Sequence, residues 1–132
     1  MTRAIAVIVA RIIFSFVFFM AAGFKFADVG ATATYIASAG FPMAGALAWV
    51  AAFFEIALAL ALITGAFFTE ASLVAGIYVI FLAFAFHGPS RWAGNQAEFG
   101  FFIDHFTFLA GLLFAAAHGP EKWAIRRSLV RL

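Results

Sequence analysis

Four apolar runs divide this chain, and a chain that must bury so much hydrocarbon has few folds open to it. The runs cover about residues 4–26, 43–67, 71–86 and 97–117. Roughly 20 residues at about 1.5 Å each cross roughly 30 Å of hydrocarbon. Lipid offers the backbone no hydrogen-bonding partner, so such runs fold as helices. A turn as short as Phe68-Thr69-Glu70 makes its flanking helices antiparallel neighbours. His87-Gly88-Pro89 breaks the third run and Gly119-Pro120 the fourth. The expected fold is an all-α membrane protein, an up-and-down bundle of four transmembrane helices forming one domain over residues 1–132.

Composition closes the soluble alternative. The chain is 67% hydrophobic and 11% charged, whereas a soluble domain carries about a quarter charged residues. With no cysteine, it cannot itself run dithiol–disulfide exchange, ligate an iron–sulfur cluster or attach haem through thioethers. The first run is longer than a signal core and is interrupted by Arg11, so it is expected to be a retained span.

Charge placement gives an orientation. Arg3 precedes the first run, and Lys122, Arg126, Arg127 and Arg131 follow the last, whereas only Lys25 and Arg91 fall near the other side. By the positive-inside rule both termini are cytoplasmic. Trp49 and Trp92 then sit at the outer interface and Trp123 at the inner one. The formal charge of +2 marks no basic face of the kind nucleic acid needs. The segment 121–132 is expected to be a short basic helix lying on the inner membrane face. The loop from Asp28 to Pro42 has room for a short interfacial helix. Ala57, Ala61 and Gly65 have the small-xxx-small spacing that lets helices approach closely.

Within the spans and at their ends stand a few ionisable residues: Arg11, Lys25, Glu55, His87, Asp104 and His105. Such groups are costly in lipid and persist where they pair or function, so these six are the candidate binding residues. At about 100° per residue, Arg11, Ser15, Phe18, Ala22 and Lys25 share one face of the first helix. That face is expected to point inward, with Arg11 paired to Glu55 in the middle of the second span. Lys25, His87, Asp104 and His105 converge at the outer ends. Asp104 and His105, about 100° apart on the fourth helix, are each expected to border a shallow outward-facing cavity, and a pair Lys25–Asp104 is expected there. The ion pair has two readings, a device that fixes helix register or a functional carboxylate.

Several chemistries can be weighed. A bis-histidine haem would use His87 and His105. A metal would draw on His87, Glu98, Asp104 and His105, yet no H-x-x-x-H or E-x-x-H spacing supports one. A quinone pocket needs His or carboxyl groups in an aromatic cavity, which the phenylalanine-rich helices permit. Phosphate loops, activated nucleophiles and nucleotide fingerprints are absent from the sequence. No catalytic or metal-ligating set is assigned, and no covalently bound cofactor is expected; quinone or lipid are the expected ligands.

An ordered set of residues resembles the DoxX family of small four-span membrane proteins. It comprises Arg11, Gly-Phe-Lys-Phe from Gly23 to Phe26, Gly-Phe-Pro from Gly40 to Pro42, Glu55, Gly65, His87 and Gly111. The chain departs where the family commonly has an arginine, reading Phe68-Thr69-Glu70, and where it often has a lysine, reading His105. The resemblance implies a multi-pass bacterial inner-membrane protein. It also implies links to redox assemblies, such as a thiosulfate:quinone oxidoreductase or a complex joining superoxide dismutase with a sulfurtransferase. The leading expectation is an accessory integral membrane subunit of a redox complex, possible contact with quinone included. The alternatives are a non-catalytic assembly subunit and a small-solute or proton-coupled carrier. Expected partners are membrane lipids and other integral membrane subunits or further copies of the chain.

Overall fold

The computed structural model describes residues 2–130 and 132. Its long helices are α1 (Arg3–Ala27), α3 (Ala44–Thr64), α4 (Phe68–His87) and α5 (Gln96–His118), joined by a shorter α2 (Val29–Ser38). Each of the four is long and apolar enough to cross a membrane, and no strand occurs among the described residues. The all-α membrane class read from the sequence holds.

Local chemistry sets the helix ends. Thr2 Oγ1 accepts from Ile5 N at the start of α1. Asp28 ends α1 and begins α2: its N–H donates to Phe24 O, and its carboxylate accepts from Ala31 N at 2.8 Å. The loop after the first span thus holds the short helix that its length allowed. Gly65, at φ +77°, stops α3, a left-handed cap that glycine adopts without a Cβ penalty. This moves the turn forward. Phe68-Thr69-Glu70, expected as the connection, is instead the first turn of α4.

The chain forms two compact units. One comprises the residues up to Ala66 with Pro120–Arg127; the other comprises Phe67–Gly119 with the residues from Ser128 onward. In the first, α1 and α2 each pack against α3. Arg11, Ser15, Phe18 and Ala22 are the buried face of α1, as the helical period requires. The opposing face of α3 buries Ala48, Ala52, Glu55, Ala59 and Leu62. Its close-approach residues are therefore Ala48, Ala52 and Ala59; Ala57 is exposed and Ala61 half-buried.

In the second unit α4 packs against α5. Ala71, Ser72, Ala75, Gly76, Val79 and Ala83 line the buried side of α4. A Cβ at Gly76 would stand 3.0 Å from Leu109 Cδ1, so the missing side chain sets how near α5 lies. Large apolar side chains such as Phe16, Phe24, Phe53, Phe84 and Phe114 are exposed. Water would penalise that surface, and lipid accepts it.

The C-terminal segment departs from expectation. Gly119 (φ +80°) ends α5, and residues 120–130 contain no helix. The reason is local. Glu121 and Trp123 both adopt left-handed backbone, at φ +57° and +54°, which a right-handed helix does not contain. Arg131, counted above among the terminal cations, lies outside the described residues.

Candidate functional site

Two cations on one face of α1 meet different fates. Lys25 Nζ donates to both oxygens of Glu55, at 2.9 and 2.8 Å, and more weakly to Ala21 O at 3.4 Å. The Glu55 side chain is only 2% exposed and that of Lys25 22%. A carboxylate in the middle of an apolar helix is thus neutralised by a lysine whose side chain stays partly accessible. Beside this pair in sequence stand Phe26 and Phe53, whose rings meet edge to face at 5.2 Å. Trp49 stacks on Phe53 at 6.2 Å.

Arg11 bonds to backbone carbonyls and to no carboxylate among the described residues. Its five N–H donors are matched by five backbone carbonyls, the full complement of a guanidinium. Nε donates to Leu62 O at 3.2 Å and Nη2 to Ile63 O. Nη1 donates to Pro120 O and Lys122 O, and Nη2 also to Trp123 O, each at 3.2 Å. Two of these carbonyls are the unpaired C-terminal carbonyls of α3, where the helix dipole is negative. The other three come from Pro120–Trp123. The left-handed backbone at Glu121 and Trp123 flanks the Lys122 carbonyl within this arc.

The expected Arg11–Glu55 and Lys25–Asp104 pairs are therefore corrected. Arg11 stands opposite Leu62 and Ile63, so α1 begins about two turns beyond the end of α3. The Pro120–Arg127 segment packs on this overhang, and Glu55 lies too far along α3 for Arg11. Asp104 is exposed, while the buried side of α5 follows Phe102, Leu112 and Ala116.

The second unit brings His87 and His105 together, with ring centroids 5.3 Å apart and planes at 43°. His87 Nδ1–H donates to Glu98 Oε2 at 2.7 Å, and the Trp92 indole N–H donates to His87 O at 2.8 Å. His105 Nδ1 meets Phe101 O at 2.7 Å; a carbonyl only accepts, so this nitrogen carries the proton. Rings in direct contact leave no room for a macrocycle between them, which argues against the haem reading. Among the described residues no three His, Asp or Glu side chains group as a metal site.

Ser15 Oγ is buried on the inward face that the helical spacing marked, without a hydrogen-bond partner. Sequence reasoning missed two features. Glu70 Oε1 accepts from Ser128 Oγ, Leu129 N and Val130 N; an acid in the first turn of α4 is the signal that marks it. The carbonyl arc around Arg11 has no sequence signal, because carbonyls belong to every residue.

An ion pair sunk between apolar helices, a caged guanidinium and a histidine–carboxylate pair define a class: a small polytopic membrane protein with internal polar sites. The family follows from comparison. A model of the DoxX family matches residues 6–88, more than half of the chain, and the chain belongs to that family. The match includes Arg11, Lys25, Glu55 and His87, whereas Asp104 and His105 lie beyond it. Comparison with curated proteins and with solved structures gives no match.

Proposed function

We propose that this protein is an accessory subunit of a redox assembly in the bacterial inner membrane, with both termini cytoplasmic, and that its Lys25–Glu55 pair receives the head group of a quinone. The carrying observation is that pair: a glutamate whose side chain is 2% exposed, held by a lysine whose side chain is still 22% exposed. A quinone supplies electron and proton carriage in lipid; this chain supplies the ends that hold it. The long Lys25–Ala21 bond at 3.4 Å is the weakest of the ammonium's three, so that N–H is free to turn to a ligand carbonyl. Glu55 then holds a proton or gives it up beside the same oxygen. The Phe26, Trp49 and Phe53 rings offer the flat apolar surface such a head group needs. The His87–Glu98 pair is a second place where a proton can be held.

The test is the quinone content of protein extracted in mild detergent. Wild type is expected to carry quinone, and Glu55→Gln and Lys25→Met to lose most of it with their helix content unchanged. Wild type free of quinone, or variants that retain it, would reject the reading.

A second reading, a packing subunit without chemistry, is favoured by the fully satisfied Arg11. That cation has no donor left for a ligand and reads as structural. Under this reading Lys25→Met combined with Glu55→Leu keeps the assembly active.

A further inference from the structure

The segment Pro120–Arg127 is non-helical yet fixed. Arg11 takes three of its carbonyls, and Ile125 N donates to Thr64 O at 2.8 Å. Gly65 is buried beneath it: a Cβ there would lie 2.5 Å from Ala124 Cβ and 3.1 Å from Pro120 Cβ. The contacts tie the segment to the end of α3, where an apolar span stops and head groups begin.

Its outward side mixes two chemistries. The Lys122, Arg126 and Arg127 side chains are exposed. Trp123 is 79% and Ile125 54% exposed between them. The one acid of the stretch, Glu121, is paired with Arg3 at 2.7 Å, so the three cations act without an opposing carboxylate of their own segment. A free anion would satisfy the cations and leave the indole and Ile125 in water. A leaflet satisfies both, with phosphates at the cations and the acyl boundary at the apolar groups.

We propose that Pro120–Arg127, clamped by Arg11, is a preformed binding surface for anionic phospholipid head groups. Lys122, Arg126 and Arg127 meet the phosphates, and Trp123 and Ile125 enter the boundary below them. A rigid surface loses less freedom on binding than a loose tail does. Each cation beside an anionic leaflet strengthens attachment about fivefold, so three together contribute about a hundredfold. The proposal does not depend on quinone.

The test uses the full chain in detergent, with Trp49→Phe and Trp92→Phe leaving Trp123 as sole emitter. Mixed micelles of phosphatidylglycerol are expected to shift its emission to the blue at far lower lipid than phosphatidylcholine does. The triple variant Lys122→Gln, Arg126→Gln, Arg127→Gln should move that titration about a hundredfold, whereas Arg126→Lys with Arg127→Lys should nearly preserve it. Phosphatidylglycerol retained through purification, measured with all three tryptophans in place, gives an independent reading and should fall in the triple variant. Equal titration by the two lipids, an unchanged triple variant, or displacement of phosphatidylglycerol by millimolar inorganic phosphate or a polyglutamate peptide would overturn the proposal.

Discussion

Arg11 and Lys25 stand on the same face of the same helix, and the protein treats them in opposite ways. Around Arg11 five carbonyls meet five N–H groups, so the cation is neutralised by dipoles and holds backbone together. Around Lys25 one carboxylate supplies the two short bonds. A planar guanidinium suits a fixed arc of acceptors, and a compact ammonium with three rotatable donors suits a single carboxylate. The first arrangement cannot alter without loosening the chain end; the second can exchange a bond and keep the fold. The Arg11 end therefore reads as structural, and the ligand site proposed above falls at the Lys25 end.

The strongest way to break this contrast is Arg11→Met. It orphans two helix-terminal carbonyls and releases Pro120–Trp123 together. Removing one partner from a buried charged network costs about 3–5 kcal/mol, and a loss in that range is expected in detergent-solubilised protein. Arg11→Lys should recover little, since an ammonium has three donors for five acceptors. Thermal unfolding measures the first effect, and proteolysis after Lys122 the release of the segment. If Arg11→Lys unfolds like wild type, the cage is not what fixes that end.

The sequence made one side of this contrast legible. The periodic spacing of Arg11, Ser15, Phe18 and Ala22 located the buried face of α1, because a lipid-spanning helix hides its few polar groups on one stripe. Span limits also fall within a few residues of α1, α3, α4 and α5. Pairing was not legible, because it depends on the stagger between helices. Gly65 ends α3 early and leaves α1 overhanging, which moves Arg11 beyond the reach of Glu55 and gives Glu55 to Lys25. The cage was hidden for a second reason: two non-glycine residues, Glu121 and Trp123, adopt backbone that their side chains disfavour. The Lys25–Asp104 pair was not excluded by the sequence because helical spacing gives relative directions along α5, not which side is buried; Asp104 falls on its exposed side.

A double-mutant cycle sharpens the Lys25 side and has the second-largest effect. Lys25→Met leaves the Glu55 carboxylate buried without its partner, costing about 2–3 kcal/mol. The loss stays below that of Arg11→Met because one carboxylate is orphaned rather than five carbonyls and the segment that carries three of them. Adding Glu55→Leu removes the orphan and should restore most of the stability, giving strong non-additivity in thermal unfolding. If the double variant loses as much as the two single variants combined, the two residues are not coupled and the site loses its physical basis.

The smallest effect belongs to the second unit and asks whether its histidine–carboxylate pair resembles the Arg11 end or the Lys25 end. His87 and Glu98 are each about one-fifth exposed, at 18% and 20%, so solvent screens them and Glu98→Gln should cost only about 0.5–1 kcal/mol. The glutamine amide still receives the His87 Nδ1–H through its oxygen, so the ring keeps its place against His105 and Phe101. What changes is the charge beside the ring: thermal unfolding should barely move, and the His87 ring resonances should report an imidazole still seated against His105 and Phe101. A large loss of stability would make the pair a structural tie of the Arg11 kind. An unmoved fold would place it with Lys25 and Glu55, as a bond that can be exchanged while the helices stay where they are.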